Sequence, residues 1–585
     1  MWQNCLFQIN SNEKKIAEFA ASGRISYLPP SDYKYDTIPL TLSGLATFPA
    51  RMGQLKGFLR EVRIYNRALS HNEIMEDYRQ TFFIKNIEVC MQAELLEKKS
   101  TCTLKLSVCD EAAGDPLKAR VMVRDGGNRH CLPPNCFSYG SVNDGYFYIL
   151  DDEIELRFPP GKWIVAVLRG FEWEPVEIPF SFKNDGEIKS LKVALKRFVN
   201  FQQKGWFSGE HHIQYIGHGA MKYDKSLGWL NAAKICEAEG MNYASFVQGL
   251  DADMRSVCSK DFISKGNLEL CPSLGGHLCC VNITRKPKCD TCHFSNIQMI
   301  EDVLLQGGVA VYTHPTSGLG KVGDVTWSRE MPVAVALGKM PIWDVSYGLW
   351  SKGFDSDLIE DWYRYLNLGL KLAAGGSTDV YMNNSTLASP PGRWRTYSQT
   401  GVLCWPEVVR AYKNGATFIS NGPLLVFKAQ NTGVGGVVRL SGNGKEIVSV
   451  HLEAWSLNGL NRIEIVQNGK IIVDIACGGV KNFSKDLNVN IAETCWLAAR
   501  CHGLNGAYFG NLAHTSPIYI QYGNCKIGVH QADADYFIRW LDEYRDFIPK
   551  FCEYRKLNAG EARPLLDAVE RAREKYRSLT GAAKE

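Results

Sequence analysis

Apolar positions alternate with polar ones at Leu104, Leu106 and Val108, and again at Val121 and Val123, the period of a strand with one buried face. Pro159-Pro160-Gly161-Lys162 reads as a turn into the apolar run 163–168. Turn signals recur about every ten residues over 87–200, which predicts a small β-sandwich. Past residue 203 the period changes. Residues 230–238 and 297–306 have helical spacing, and the second stretch ends at Gly307-Gly308 before the apolar strand 309–312. Helix, Gly-Gly, apolar strand is the punctuation of a parallel barrel or sheet. Alternation returns at Val448, Val450, Leu452 and Ala454 and in 495–499, so a second sandwich is expected over 437–525. The tail, 530–585, carries two apolar stripes: Phe537, Trp540, Leu541, Tyr544 and Ile548, then Leu566, Val569, Ala572 and Tyr576. An antiparallel helical pair packed on the rest of the chain is the simplest reading, with a partner-binding helix as the alternative.

At 585 residues the chain exceeds a single core, and about three to five domains are expected. With 45% hydrophobic and 22% charged residues the composition is that of folded protein. The net charge is +4 and no basic stripe is interleaved with aromatics, so nucleic acid is not favoured as a partner. No apolar run approaches the ~18 residues of a membrane span. The start, Met-Trp-Gln-Asn-Cys-Leu-Phe, lacks the basic n-region and long h-region of a secretion signal. Nineteen cysteines are scattered and odd in number, which favours a reducing compartment or incomplete pairing over a disulfide scaffold.

In 57–70, Val62 and Ile64 alternate as in a half-buried strand, and Ser70 is placed to cap a short helix containing Glu73. The run Glu61-Val62-Arg63-Ile64-Tyr65-Asn66-Arg67-Ala68-Leu69-Ser70 resembles the last strand of laminin-G-like (concanavalin-A-like) jelly rolls. Residues 1–82 are expected to be a partial jelly roll of this type, for which the resemblance implies glycan binding; a structural appendage is the alternative. Segment 87–200 is similar to carboxypeptidase-regulatory-like modules and holds no catalytic constellation.

The chemistry lies between 203 and 430. His212 stands in Gly209-Glu210-His211-His212-Ile213-Gln214, Glu269 precedes Gly276-His277, His314 follows the strand 309–312 within Thr313-His314-Pro315, and Asp379 closes Gly375-Gly376-Ser377-Thr378-Asp379. Imidazoles and carboxylates are the ligands that hold a hydrolytic divalent ion with a position left open. For His314 a buried histidine bonded to a backbone carbonyl is the alternative. In this order the motifs resemble the PHP (polymerase and histidinol phosphatase) superfamily, in its CehA/McbA-type branch, and Gly415-Ala416-Thr417-Phe418-Ile419-Ser420-Asn421-Gly422-Pro423 is similar to the segment that closes that catalytic domain.

The resemblance implies a central α/β domain, a distorted β/α-barrel, flanked by all-β sandwich modules and followed by a helical tail. It implies a divalent metal (zinc, manganese or iron) held by His212, Glu269, His314 and Asp379, with His277 as a further ligand or a donor to one and Asp251 as one more carboxylate. His211 and His218 are the candidate proton shuttles. Arg395, or its neighbour Arg393, is a candidate anion holder, with a solvated loop arginine as the alternative. The reaction implied is metal-assisted hydrolysis of a small-molecule or glycan-linked ester, whether phosphate, carboxylic or carbamate. The chain departs from the pattern at Gln214, where the family has histidine, at the Asp-His it places after its second strand, and after Asp379, where Val380-Tyr381 replaces Asp-x-His. A catalytically inactive scaffold with β modules that bind glycan or a surface polymer is the competing expectation. Family architecture implies secretion or a periplasmic location.

Cys289-Asp290-Thr291-Cys292-His293 has the spacing of a c-type haem attachment. With Cys271, Cys279 and Cys280 nearby, a structural zinc site and a loop of free thiols are the other readings.

Overall fold

The computed structural model describes residues 99–581, except 129, 135, 137–145, 215–227, 248, 251–257, 272–273, 289–294, 323–326, 383–389, 526 and 529, together with three short strands before residue 26. The jelly-roll segment beyond those strands, His218, Asp251 and the Cys289–His293 motif lie outside the described residues.

The architecture is strand-rich and multi-sheet, with a half-barrel sheet at its centre and a helical segment at its end. The first unit packs a sheet built on Ala119–Asp125, Gly161–Leu168 and Val176–Phe182 against a three-stranded sheet of Ile188–Leu195, Cys102–Asp110 and Glu153–Phe158. Leu104, Leu106 and Val108 meet Val121, Val123, Val165 and Val167 in one core. The alternation in the sequence is thus the inner face of a sandwich.

Trp206–Gln214 is the axis of the central domain. It pairs in parallel with Tyr243–Phe246, which pairs in parallel with Ile263–Gly266. On its other edge it changes partner midway: Trp206 to Gly209 run antiparallel to Arg395–Gln399, whereas Ile213 and Gln214 run parallel to Val380–Tyr381. The sheet forks where His211 and His212 lie, and a register shift between Glu210 and Ile213 marks an irregularity on the Tyr243–Phe246 side as well. Such breaks re-aim side chains at the ends of strands.

The large sheet continues without interruption through Thr417–Ser420 and Leu512–Thr515 into Cys495–Gly503, Leu460–Gln467 and Lys470–Ala476. The segments 203–430 and 437–525 therefore share one hydrogen-bonded sheet. Its far half is covered by a four-stranded sheet in which Val448, Val450, Leu452 and Ala454 are buried against Ile463, Ile465 and Leu497.

The tail forms two helices, Gln531–Arg555 and Arg563–Gly581, packed on each other and on Met331–Ala336 and Asp357–Asn367. Both apolar stripes are buried in the core of the central domain, except Leu566, which is partly buried against it. No helix among the described residues is long and apolar enough to cross a membrane.

At the start of the helix Met331–Ala336, Glu330 is fully buried and accepts from Ser295 Oγ and the Asn296 amide, both at 2.6 Å. Burial pushes its carboxyl up to about 7 against the pull of those two bonds. A raised carboxyl favours the folded state when protonated, so this stability is full below the ordinary value of 4.5 and is lost as pH rises through 7. Glu330→Gln is expected to flatten the fall in unfolding free energy between pH 5 and 8 by about 3 kcal/mol, measured by urea titration across that range. An unchanged slope would show that Glu330 does not titrate there.

Candidate metal centre

The strand Trp206–Gln214 buries eight of its nine residues, and its period of two puts Glu210, His212 and Gln214 on one face. His212 and Gln214 reach the cluster. Glu210, one position earlier on that face, receives the Thr378 amide and the Gly392 amide, each at 2.6 Å, and the Thr378 hydroxyl. Burial raises its carboxyl to about 7, and these bonds hold it from rising further. Glu210 thereby pins the residue before Asp379.

Two triads meet on Glu269. His212 Nε2 lies 3.4 Å from Glu269 Oε2 and 3.1 Å from Asp379 Oδ1. On the other side of the carboxylate, His277 Nδ1 and His314 Nε2 lie 3.3 and 3.4 Å from Glu269 Oε1 and 3.2 Å from each other. Donors bound tetrahedrally at 2.0–2.1 Å stand about 3.3–3.4 Å apart. The three spacings of the Glu269, His277 and His314 triad therefore suit a small divalent ion, and so does the donor chemistry of imidazole and carboxylate. The side chains of His277 and Asp379 are 14% and 23% exposed, while those of His212 and Glu269 are enclosed.

Burial opposes a charge on His212, yet Cys279, Asp379 and Glu269 beside it raise its pKa well above the ordinary value. For His314 burial dominates and lowers it, despite Glu269 and Asp379. Burial also pushes the Cys279 thiol up to about 12, with His212 pulling the other way.

Backbone geometry aims these groups. His314 and Asp379 end their segments at φ of 34° and 52°, the left-handed region that non-glycine residues occupy at a cost of order 1–3 kcal/mol. Gly276, before His277, has φ of 102°. Its carbonyl accepts from Asn296 Nδ2 at 3.0 Å, and an added Cβ would stand 2.7 Å from Ser328 Cα and from Trp327 O. Gly276→Ala is expected to destabilise the chain by about 1–3 kcal/mol and to weaken metal binding by displacing His277, read as paired shifts in denaturant midpoint and metal affinity. A loss of stability with affinity intact would show that the turn does not set the His277 ring.

His212, Glu269, His277, His314 and Asp379 are thus brought together. His211 points to the opposite face, fully buried, with Nε2 3.2 Å from Asp344 Oδ2 and its ring 6.0 Å from Tyr412. Asp344 in turn receives the hydroxyls of Ser346 and Ser377, so His211 lies against a polar group under the Gly-Ser-Thr-Asp segment, with neither ring nitrogen hydrogen-bonded among the described residues. Arg395 is also apart from the cluster. It is 1% exposed, donates to the carbonyls of Gly392 at 2.7 Å and Glu239 at 3.0 Å, and lies 4.1 Å over the Phe171 ring. Arg393 is exposed.

Three further side chains join the cluster, in places the sequence did not assign them. Gln214 Nε2 donates to Glu269 Oε2 at 2.8 Å and Asp379 Oδ1 at 3.1 Å and stands 3.4 Å from His212 Nε2, so an amide nitrogen sits inside the first triad. Cys279 lies directly across the sheet from Glu269 and is among the groups that raise the pKa of His212. Cys271 falls in with Glu269 and His277, their ligand atoms all within 4.8 Å of one another. Strand period was the available signal for Glu210 and Cys271, each two residues from a ligand.

No family model matches the chain, and no curated protein matches it. Among solved structures it is similar to the Bacillus anthracis TIE protein at 15% identity and a TM-score of 0.14, spanning 21% of each chain. It is also similar to apo Bacteroides uniformis beta-glucuronidase 3 at 12% identity and a TM-score of 0.15, over 72% of this chain and 63% of that one. The chain spans less than two thirds of either structure, and at these scores neither likeness bears on fold or function.

Proposed function

We propose that this chain is a divalent-metal-dependent hydrolase of the PHP type, similar to the CehA/McbA branch, acting on an ester bond of a phosphate, carboxylic or carbamate ester. The observation that carries this reading is the Glu269, His277 and His314 donor triad, spaced as ligands of a zinc-like ion, with His212 on the other oxygen of Glu269. Zinc, manganese or iron fits the imidazole and carboxylate donors. Bound there, a divalent ion supplies Lewis acidity toward an ester oxygen and toward a water molecule. Glu269 and the histidines hold it from the enclosed side. Asp379 and His277 are the partly exposed members of the cluster, so an incoming ester meets them first. Tyr381, with its hydroxyl 3.4 Å from Gln214 Nε2, offers a neutral donor at the same edge, since burial raises its phenol well above the ordinary range.

Gln214 favours a second reading. Its amide answers the charges of Glu269 and Asp379 without a cation, as an inactive scaffold would, leaving the β modules to bind glycan or a surface polymer. Elemental analysis of chain purified without chelator or affinity metal separates the two. Zinc, manganese or iron near one or two per chain, with turnover in a panel of phosphate, carboxylic and carbamate esters, supports the hydrolase. Metal-free chain that turns over none of them supports the scaffold.

A further inference from the structure

The hairpin of Leu268–Leu270 and Leu278–Val281 carries four metal-type side chains on one face. Its antiparallel register pairs Leu268 with Cys280, Glu269 with Cys279 and Leu270 with Leu278. One step further the register sets Cys271 opposite His277. Directly opposed residues share a face, as do residues two apart along a strand. Glu269, Cys271, His277 and Cys279 therefore point the same way, and Cys280 points the other, into the hydrophobic core. The neighbouring strand Val309–Tyr312 delivers Thr313 and His314 to that same side, where Thr313 Oγ1 lies 3.4 Å from Glu269 Oε1.

The two oxygens of Glu269 have different company. Oε2 is bonded to Gln214 Nε2, which also bonds Asp379. Oε1 faces the two imidazole nitrogens of His277 and His314, with Cys271 Sγ in the same group as Glu269 and His277. Amide donors already satisfy one half of the constellation. The other half offers a carboxylate oxygen, two imidazoles and a thiol.

We propose that Cys271 supplies a thiolate ligand, so that this chain holds one thiophilic divalent ion of the zinc class on Glu269, Cys271, His277 and His314, while the Gln214 amide holds the His212–Asp379 half together without an ion. This rests on the metal-centre reading above and specifies which donors bind. As the sulfur–metal bond forms, the Cys271 thiol releases its proton to solvent. Thiolate in place of a carboxylate selects zinc or cobalt over manganese or magnesium. Four protein donors fill a tetrahedral ion, so a substrate oxygen enters only by displacing one of them. Cys271, exposed at the end of its strand, is the ligand free to leave.

Cobalt(II) titration of the full metal-free chain tests this, because thiolate ligation gives a near-ultraviolet charge-transfer absorption that imidazole and carboxylate do not. The expected result is one equivalent bound with that absorption. Cys271→Ser should lose the absorption and weaken cobalt binding at least about tenfold, the least that losing even a ligand's outer partner costs. Cys271→His should bind one equivalent without the absorption, which guards against a serine variant that merely misfolds. Cys279→Ser should keep the absorption. Gln214→His should raise the capacity to two equivalents by returning a ligand to the other half.

One equivalent bound by wild type without the absorption, or an absorption that survives in both Cys271 variants, overturns the thiolate assignment and leaves the hydrolase reading standing. Two equivalents in wild type overturn the role given to Gln214. No cobalt bound at all removes the metal centre and both readings with it.

Discussion

Alanine at both His212 and His314 is expected to abolish the proposed binding of a divalent ion while preserving the fold. Each imidazole serves a different oxygen of Glu269, so the pair removes a nitrogen from each triad. Losing even one outer partner of a ligand weakens metal binding about 10–100-fold, so losing the His314 imidazole itself, together with His212 beside Glu269, should weaken it by at least that much. The backbone partners of these residues remain. The strand Trp206–Gln214 keeps its three neighbours, and the strand ending at Tyr312 keeps Leu278–Val281. Far-ultraviolet circular dichroism should therefore match wild type while elemental analysis shows metal lost. If His314 alone is replaced, the thiolate assignment predicts a large loss; if His212 alone is replaced, it predicts a small one. Metal retained in the double variant would mean that the ion sits elsewhere, and the hydrolase proposal would fall.

Local periods carried the elements but not their partners. The burial alternation of Cys102–Asp110 and of Glu446–Trp455, the helix Ile297–Leu305 and the strand Val309–Tyr312 follow from spacing visible along the chain. The pairing of Phe418 with Thr515 and of Ile419 with His514 does not, because a strand's period says which face is buried and nothing about which distant strand lies beside it. A boundary near residue 430 was legible as a change of pattern, whereas the sheet that crosses it was not. The same limit applies at the site. Ligand residue types and their order pointed to His212, Glu269, His277, His314 and Asp379 lying together. Residue type and place leave Arg395 open as an anion holder or a solvated loop arginine, and only tertiary packing over Phe171 reveals a guanidinium bonded to carbonyls. The place of Gln214 depends on two carboxylates that lie 55 and 165 positions away.

Phe537→Ala is expected to have the largest effect on stability outside the site. The ring is fully buried, stacked on Tyr365 at 4.1 Å and on Tyr576 at 5.2 Å. It thus joins both tail helices to the helix Asp357–Asn367. Truncating such a ring costs about 3–5 kcal/mol, and the substitution also deletes both stacked pairs. The expected readout is a fall of about 10²–10⁴-fold in hydrogen-exchange protection of the amides in Arg563–Gly581. The effect should also reach the metal centre through contacts that can be followed. Tyr576 donates to the Pro332 carbonyl at 2.9 Å, and Pro332 lies in the helix that begins after Glu330. Glu330 holds the Asn296 amide, and Asn296 holds the Gly276 carbonyl beside His277. Metal affinity in Phe537→Ala should fall, but by less than in the His212 and His314 double variant, because no donor is removed. Protection lost in the tail with metal affinity unchanged would show that the helical pair is fastened to the central domain without bracing the Gly276–His277 turn.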